Sequence, residues 1–359
     1  MAIQTETQDV VTTSAVQPIT VPTSATPRVS IIIPSAAGTT LLLACLRSLE
    51  RNTPTTIPFE TIVVLNNTTE IQAAELARQF VGVTWRSTEV NLGLAGSGNL
   101  ARSLARGELL LILHDDAEVE AGWMEALVLA ADLNADAGAI GSKVLNPDGT
   151  LQSAGMILWN TALTSPPWAG PAPAPTAFEQ RRAVDYCGTS SLLIRRSTWD
   201  AVGGLDEQFF PAYYVDVDLA MAVRALGQYV LYEPASRIRH HRGASTGKRF
   251  REFVAAKNIR QFRAKWSSAL AAQDPPAPNS VAAIERAMVR CETVRRSGPF
   301  IKPETPTQTH AGEEARAREM RHLLMERVLG REFANALESA IDAPRRAAYT
   351  MHYKYYDAG

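Results

Sequence analysis

Three carboxylates fall within four residues at Asp115-Asp116-Ala117-Glu118. Hard carboxylates packed together suit Mg²⁺ or Mn²⁺, and such ions commonly carry substrate phosphates. The stretch follows the apolar run Leu109 to Leu113, with His114 between. A run of this kind reads as a buried parallel strand. Acidic residues at its carboxyl end would project into the crevice where open α/β sheets bind ligands. The same residues also read as a solvated turn opening a helix near Trp123, with Glu118 and Glu120 favouring its N-terminus.

A second acidic cluster is Asp216-Val217-Asp218. Asp216 fits the N-cap of a helix, or the position just before it. The functional alternative is a general base at a loop–helix junction, taking a proton from an attacking hydroxyl. A third cluster is His240-His241-Arg242-Gly243-Ala244-Ser245, after an expected strand Tyr229 to Tyr232 and a short connector. His240 reads either as an extra metal ligand beside Asp116 or as an ordinary surface or core histidine. Arg239, Arg242, Lys248 and Arg249 would face a diphosphate or form a solvated basic loop.

These groups need a scaffold. Val29 to Ile33 is a β-branched strand ended by Pro34, and a helix is expected over Thr40 to Arg51. Thr61 to Leu65 is a second strand, Ile71 to Phe80 a helix, Val83 to Arg86 a third strand and Leu109 to Leu113 a fourth. Strands alternating with helices imply a mostly parallel, doubly wound sheet. Asn91 to Asn99 reads as a Gly-rich loop entering a helix at Leu100 to Ala105, its glycines permitting close backbone approach to a ligand. It is not the GxGxxG fingerprint, which directly follows a first strand. No P-loop and no GxSxG occurs. Further on, Ala139 to Val144 and Ser191 to Arg195 read as strands, and Val217 to Ala225 as helix.

Composition bounds the rest. The chain has 359 residues, 46% hydrophobic and 20% charged, with a net charge of −1. That gives no electrostatic case for nucleic acid. Cys45, Cys187 and Cys291 are scattered and form no CxxC, which argues against a disulfide framework or a zinc site and for a reducing cytosol. No apolar run approaches the length of a membrane span. The expected organisation is a flexible tail over 1–27, a catalytic α/β domain over 28–266, a linker over 267–280 and a helical region over 281–359. Helices rich in Arg and Leu, such as Arg316 to Leu329, would pack on the core, form a homo-oligomer face or lie on a membrane surface.

The order of these segments resembles family 2 glycosyltransferases of the GT-A fold, rhamnosyl- and galactofuranosyltransferases among them. The matching segments are Val29 to Pro34, Val63 to Thr69, Asn91 to Asn99, Asp115 to Val119 with Gly122-Trp123, Cys187 to Arg196, Val202 to Glu207, Phe209 to Leu219 and His240-x-x-Gly243-x-Ser245. The resemblance covers about two thirds of the chain, Arg28 to Gly247. It implies a GT-A α/β fold with a C-terminal helical extension. The implied reaction is inverting transfer of a sugar from a nucleotide-diphosphate donor to a hydroxyl on a glycan or lipid-linked acceptor. By that resemblance Asp116 and Glu118 are the metal pair and His240 completes the site for Mg²⁺ or Mn²⁺. Asp216 is the base. Pro34, Asn66, Asn91, Gly93, Asn99 and Asp115 line the donor site, and Gly188, Thr189 and Asp218 the acceptor side. The implied location is the cytoplasm, at the inner face of the membrane where the C-terminal helices reach it.

The sequence departs from the family at three places. The first strand leads into Pro34-Ser35-Ala36-Ala37 rather than Pro-x-Tyr-Asn. Leu65 stands where an Asp usually holds the base of the nucleotide, and Val215 replaces an acid beside Asp216. These losses motivate the alternative of a non-catalytic GT-A domain that binds nucleotide-sugar or glycan or scaffolds an assembly. A nucleotidyltransferase is disfavoured, because Pro34 to Thr40 has no Lys or Arg.

Overall fold

The computed structural model describes residues 18–35, 39–241, 248–297, 302–309, 315–316, 318–320 and 323. Ala36, Ala37, Arg242, Gly243, Ser245, the first 17 residues, most of 313–341 and the Tyr-rich end at 348–356 lie outside them.

The elements run in order β1 (Ile19–Thr20), β2 (Val29–Ser35), α1 (Thr39–Asn52), β3 (Phe59–Asn66) and α2 (Glu70–Ala77). Next come β4 (Phe80–Val81), β5 (Val83–Thr88), α3 (Gly93–Leu104), β6 (Leu109–Leu113), β7 (Ala117–Val119), α4 (Trp123–Leu133) and β8 (Ala137–Leu145). Short strands β9 (Leu151–Ser153), β10 (Ile157–Leu158), β11 (Thr164–Ser165) and β12 (Arg182–Val184) lead to β13 (Ser191–Arg195) and α5 (Arg196–Val202). The chain continues through α6 (Val215–Ala225), β14 (Tyr229–His240), α7 (Lys248–Lys265), α8 (Ser267–Leu270) and α9 (Val281–Ser297).

The main sheet has the order β12-β14-β8-β13-β6-β2-β3-β5, with β7 on β14 and β9 on β8. Its first half is the parallel, doubly wound unit that the alternation of strands and helices implies: β6-β2-β3-β5 are all parallel. β13 then enters antiparallel between β6 and β8, so the whole sheet is mixed. The order reverses at β2, whose neighbours are β3 and β6. Ligand crevices form at the carboxyl ends of strands at such a switch point.

Alternate strand residues serve two cores, as the two-residue period of a strand requires. Ile32, Ile62, Val64, Leu110 and Ile112 pack with Trp199 of α5 and Leu219 and Val223 of α6. Ile31, Ile33, Val63, Leu109 and Leu111 pack with Leu46 and Leu49 of α1 and Leu127 of α4. Each such fully buried aliphatic side chain stabilises the fold by about 2 kcal/mol.

Three elements differ from the sequence-based expectation. β2 runs through Pro34, because the β2–β6 ladder ends at Ile32, before the missing N–H would matter. The Gly-rich segment is not a loop: helix α3 begins at Gly93 itself. β14 does not stop at Tyr232. It bulges between Glu233 and Arg237 and continues to His240, so one strand runs from the core to the acidic cluster.

Part of the C-terminal region packs onto the α/β core. Arg290 of α9 reaches Asp185 at 2.6 Å. Gln308 O accepts from the Glu207 N–H, and the Arg316 guanidinium pairs with Glu207 at 2.6 Å.

Candidate active site

The acidic cluster is folded into shape by a turn. Ala117 N–H donates to His114 O, which bends the chain between β6 and β7. β7 then pairs antiparallel with the end of β14, setting His240 opposite Ala117, and the His241 N–H donates to Asp116 O. His114 is tied to the β13 side by its own N–H, donated to Ser190 O.

The result is a group of three side chains, His114, Asp116 and His240, each offering one atom within 4.8 Å of the others. His240 Nε2 lies 3.1 Å from Asp116 Oδ1, and His114 Nδ1 lies 3.9 Å from it. The rings of His114 and His240 meet edge to face, centroids 5.3 Å apart. Metal–ligand bonds of about 2.1 Å place ligand atoms roughly 3 to 4.2 Å apart around one ion. The group therefore fits a divalent cation, with mixed nitrogen and oxygen donors.

The charge states suit that use. Burial, with the neighbouring His240, pushes the His114 imidazole down to about 4, so it is neutral near pH 7. Burial opposes ionisation of Asp116, but the hydrogen bond from His240 and the two imidazoles outweigh it. Its carboxyl titrates below the usual range and is ionised.

Of the residues expected to hold a cation, Asp116 and His240 meet and Glu118 stands apart. Glu118 accepts from His241 Nε2 at 3.1 Å. The turn at Asp115 and Asp116 breaks strand alternation, so Asp116 and Glu118 are not successive residues of one strand face. His114 occupies the third place. Its signal in the sequence was its position two residues before Asp116.

Asp115 accepts from Ser35 Oγ at 2.6 Å, bridging the ends of β2 and β6 at the switch point. Pro34 precedes Ser35 on the same strand end. On the other side of the cluster, His114 Nε2 is 3.1 Å from Thr189 Oγ1. Next to Thr189, Gly188 faces Asp216: a Cβ placed on Gly188 would lie 3.7 Å from Asp216 Oδ2. Asp115, the His114–Asp116–His240 group, Thr189, Gly188 and Asp216 thus form one continuous edge. Asp216 is not the N-cap of α6. It sits in the first turn, after Tyr214 as N-cap, with its carboxylate accepting from the Val217 N–H at 3.0 Å.

Five of the residues expected to line the donor or acceptor side make internal contacts. Asp218 is buried, accepting from Lys265 Nζ at 2.9 Å and Trp266 Nε1 at 2.7 Å, with Asp206 on the same ammonium. Two residues along a helix is about 200° of rotation, so Asp218 faces the core while Asp216 faces the edge. Asn66 is buried and holds Ser97 Oγ and the Leu92 N–H, pinning α3 to β3. Asn91 Oδ1 accepts from the Gly93 N–H at 2.7 Å, shaping the start of α3. Asn99 clamps Leu205 through its N–H and its carbonyl. Gly93 has φ +68°, and a Cβ there would sit 2.6 Å from Pro211 O. Gly93 admits the Pro211 backbone, and Gly98 admits the Leu205 side chain.

Two outcomes follow from that packing. Gly93→Ala is expected to destabilise the protein by about 2 kcal/mol or more, from the left-handed backbone plus the clash. Urea unfolding checks it, and an unchanged midpoint contradicts it. Asp218 is raised to about 6 by burial, with Lys265 opposing. A carboxyl raised above its unfolded value contributes stability that is present below about 4 and lost as pH rises through 6. The stability of wild type relative to Asp218→Asn should fall between pH 4 and 7 in urea titrations. A pH-independent difference would contradict this.

A profile of the glycosyl transferase family 2 matches residues 30–201. The match includes the Asp115–Glu118 cluster and Gly188-Thr189 and ends before Asp216 and His240. The chain is 33% identical over 258 residues to the O-antigen biosynthesis protein RfbC of Myxococcus xanthus, covering 68% of this chain and 20% of that one. It is 28% identical over 215 residues to the N-acetylglucosaminyl-diphospho-decaprenol L-rhamnosyltransferase of Mycobacterium tuberculosis, covering 53% of this chain and 69% of that one. The crystal structure of GalNAc-T7 with UDP, GalNAc and Mn²⁺ superposes with a TM-score of 0.53 at 15% identity, over 68% of this chain and 49% of that one. The fold is that of the GT-A glycosyltransferases, and the part of the chain that matches the glycosyl transferase family 2 profile, residues 30–201, is just under half of it.

Proposed function

We propose that this protein is a metal-dependent, inverting glycosyltransferase. It moves a sugar from a nucleotide-diphosphate donor to an acceptor hydroxyl in glycan assembly. The observation that carries the reading is a continuous run of side chains. A cation-compatible group, His114, Asp116 and His240, is linked through Thr189 and Gly188 to the carboxylate of Asp216. The naming of one relative as an L-rhamnosyltransferase acting on a diphospho-decaprenol acceptor makes a deoxyhexose donor and a lipid-linked acceptor the first pair to test.

In this reading Asp115, held by Ser35, orients the donor sugar or ribose at the switch point. A divalent cation bound by the histidine–aspartate group would neutralise charge on the departing diphosphate, a Lewis-acid role. Asp216 takes the proton of the acceptor hydroxyl as its oxygen attacks the anomeric carbon. The bond to the diphosphate oxygen breaks on the opposite side, which inverts the configuration. Thr189 and Gly188 line the space between the two.

A second reading is a glycan-binding or scaffolding domain without turnover. Leu65 favours it, since it is 5% exposed and packed in a core cluster where a carboxylate would hold the nucleotide base. Incubation with dTDP-, UDP- and GDP-sugars and a polyprenyl-diphosphate-sugar acceptor separates the two. Release of nucleoside diphosphate only when acceptor is present supports transfer. Tight donor binding with no release supports the second reading.

A further inference from the structure

The cation group has an unusual composition for a site expected to take Mg²⁺ or Mn²⁺ alike. Each of its imidazoles is oriented by a partner on the far ring nitrogen. His240 Nδ1 lies 2.8 Å from Gln152 Oε1. The orientation of that amide is fixed, because Gln152 Nε2 donates to His240 O at 3.0 Å and to Asn146 Oδ1 at 2.8 Å. Asn146 is itself oriented by its own amide nitrogen, which donates to Thr150 Oγ1. Gln152 Oε1 must therefore accept, so His240 keeps a proton on Nδ1, and the Nε2 proton donated to Asp116 is the one that a cation would displace to take up the Nε2 lone pair. His114 is arranged in mirror fashion. Thr189 Oγ1 holds Nε2, which leaves Nδ1 toward Asp116. Partners of this kind on the far nitrogen orient ligating imidazoles and raise their basicity.

We propose that the cation is held by His114 Nδ1, Asp116 and His240 Nε2, with Glu118 outside the coordination sphere, and that this two-imidazole set selects Mn²⁺ and other transition ions over Mg²⁺. Mg²⁺ prefers oxygen ligands and gives up water reluctantly, whereas imidazole suits the transition ions. Gln152 is a positioning residue for His240, and Thr189 for His114. The proposal rests on the metal-dependent reading above for the identity of the site. It does not depend on turnover.

The test uses the full chain without nucleotide. Mn²⁺ binding is followed by the electron paramagnetic resonance signal of the free ion, with Mg²⁺ as competitor, and the bound ion is examined by ¹⁴N spin-echo modulation. Wild type should bind Mn²⁺ with modulation from two imidazoles and need roughly 100-fold excess Mg²⁺ for displacement. His114→Ala should show one imidazole and bind Mn²⁺ about 10- to 100-fold more weakly. Gln152→Leu, which leaves every ligand in place, should weaken Mn²⁺ binding about 10-fold. Glu118→Gln should stay within about threefold of wild type, since it removes no ligand. A single nitrogen in wild type overturns the proposal. So does a Glu118→Gln loss as large as that of His114→Ala, or Mn²⁺ left free at millimolar concentration. A wild-type protein that binds Mn²⁺ through two imidazoles yet binds no nucleotide diphosphate would leave this assignment standing and remove the transferase reading instead.

Discussion

Asp216→Asn is expected to lower the turnover of sugar transfer by about 10²- to 10⁴-fold while leaving donor affinity within a factor of a few. The side chain is half-buried, beside Gly188 and in the first turn of α6. Its amide replacement keeps the size and can still accept from the Val217 N–H, so the turn should survive. What the amide cannot do is take a proton from the acceptor hydroxyl. The expected signature is a fall in kcat with little change in the donor dissociation constant. Full turnover in the variant would remove Asp216 as the base.

Asp116→Ala is expected to act on the other half of the reaction. Asp116 is the one anionic member of the His114–Asp116–His240 group and is only 8% exposed. Without it the two imidazoles keep their orienting partners but lose the charge that attracts a cation. Nucleotide diphosphate affinity in Mn²⁺ should fall at least about 100-fold, and the residual affinity should equal that of wild type in EDTA. Equal affinity of variant and wild type in Mn²⁺ would show that the cation is not held there. Together the two variants separate proton removal from donor binding, which a single loss of activity would confuse.

What the sequence could show depended on range. The strands Leu109–Leu113 and Ser191–Arg195 were legible because buried strands write themselves as apolar runs bounded by polar residues. Asp116, Asp216 and His240 were legible as chemistry, and the resemblance to a known family placed them in one site. The Gly-rich start of α3 was not. Glycine disfavours helix, and the approach of Pro211, Glu207 and Leu205 to Gly93, Gly96 and Gly98, which leaves little room for a Cβ, is a tertiary fact that the local sequence does not carry. The continuation of β14 past Pro234 was hidden by the bulge. The resemblance implied that Asp218 and Asn66 are site residues. Helix rotation turns the first inward, and the need to pin α3 engages the second.

The supporting residues were the least visible. Thr189 is 75 residues from His114, and Gln152 is 88 residues from His240. Neither pairing leaves a periodic or local trace. Gln152 in particular is an ordinary residue on a short strand until β9 is seen beside β8 and the end of β14. His114 was readable in principle, by its two-residue spacing from Asp116, and the weight given to Glu118 concealed it.

The most direct measurement is calorimetric titration of the wild-type protein with UDP, GDP, dTDP and CDP, each in Mn²⁺ and in EDTA. A metal-dependent nucleotide-sugar site should bind one of the four at least tenfold more tightly than the others, and lose that binding in EDTA. Binding of none, or binding indifferent to the chelator, would contradict the account.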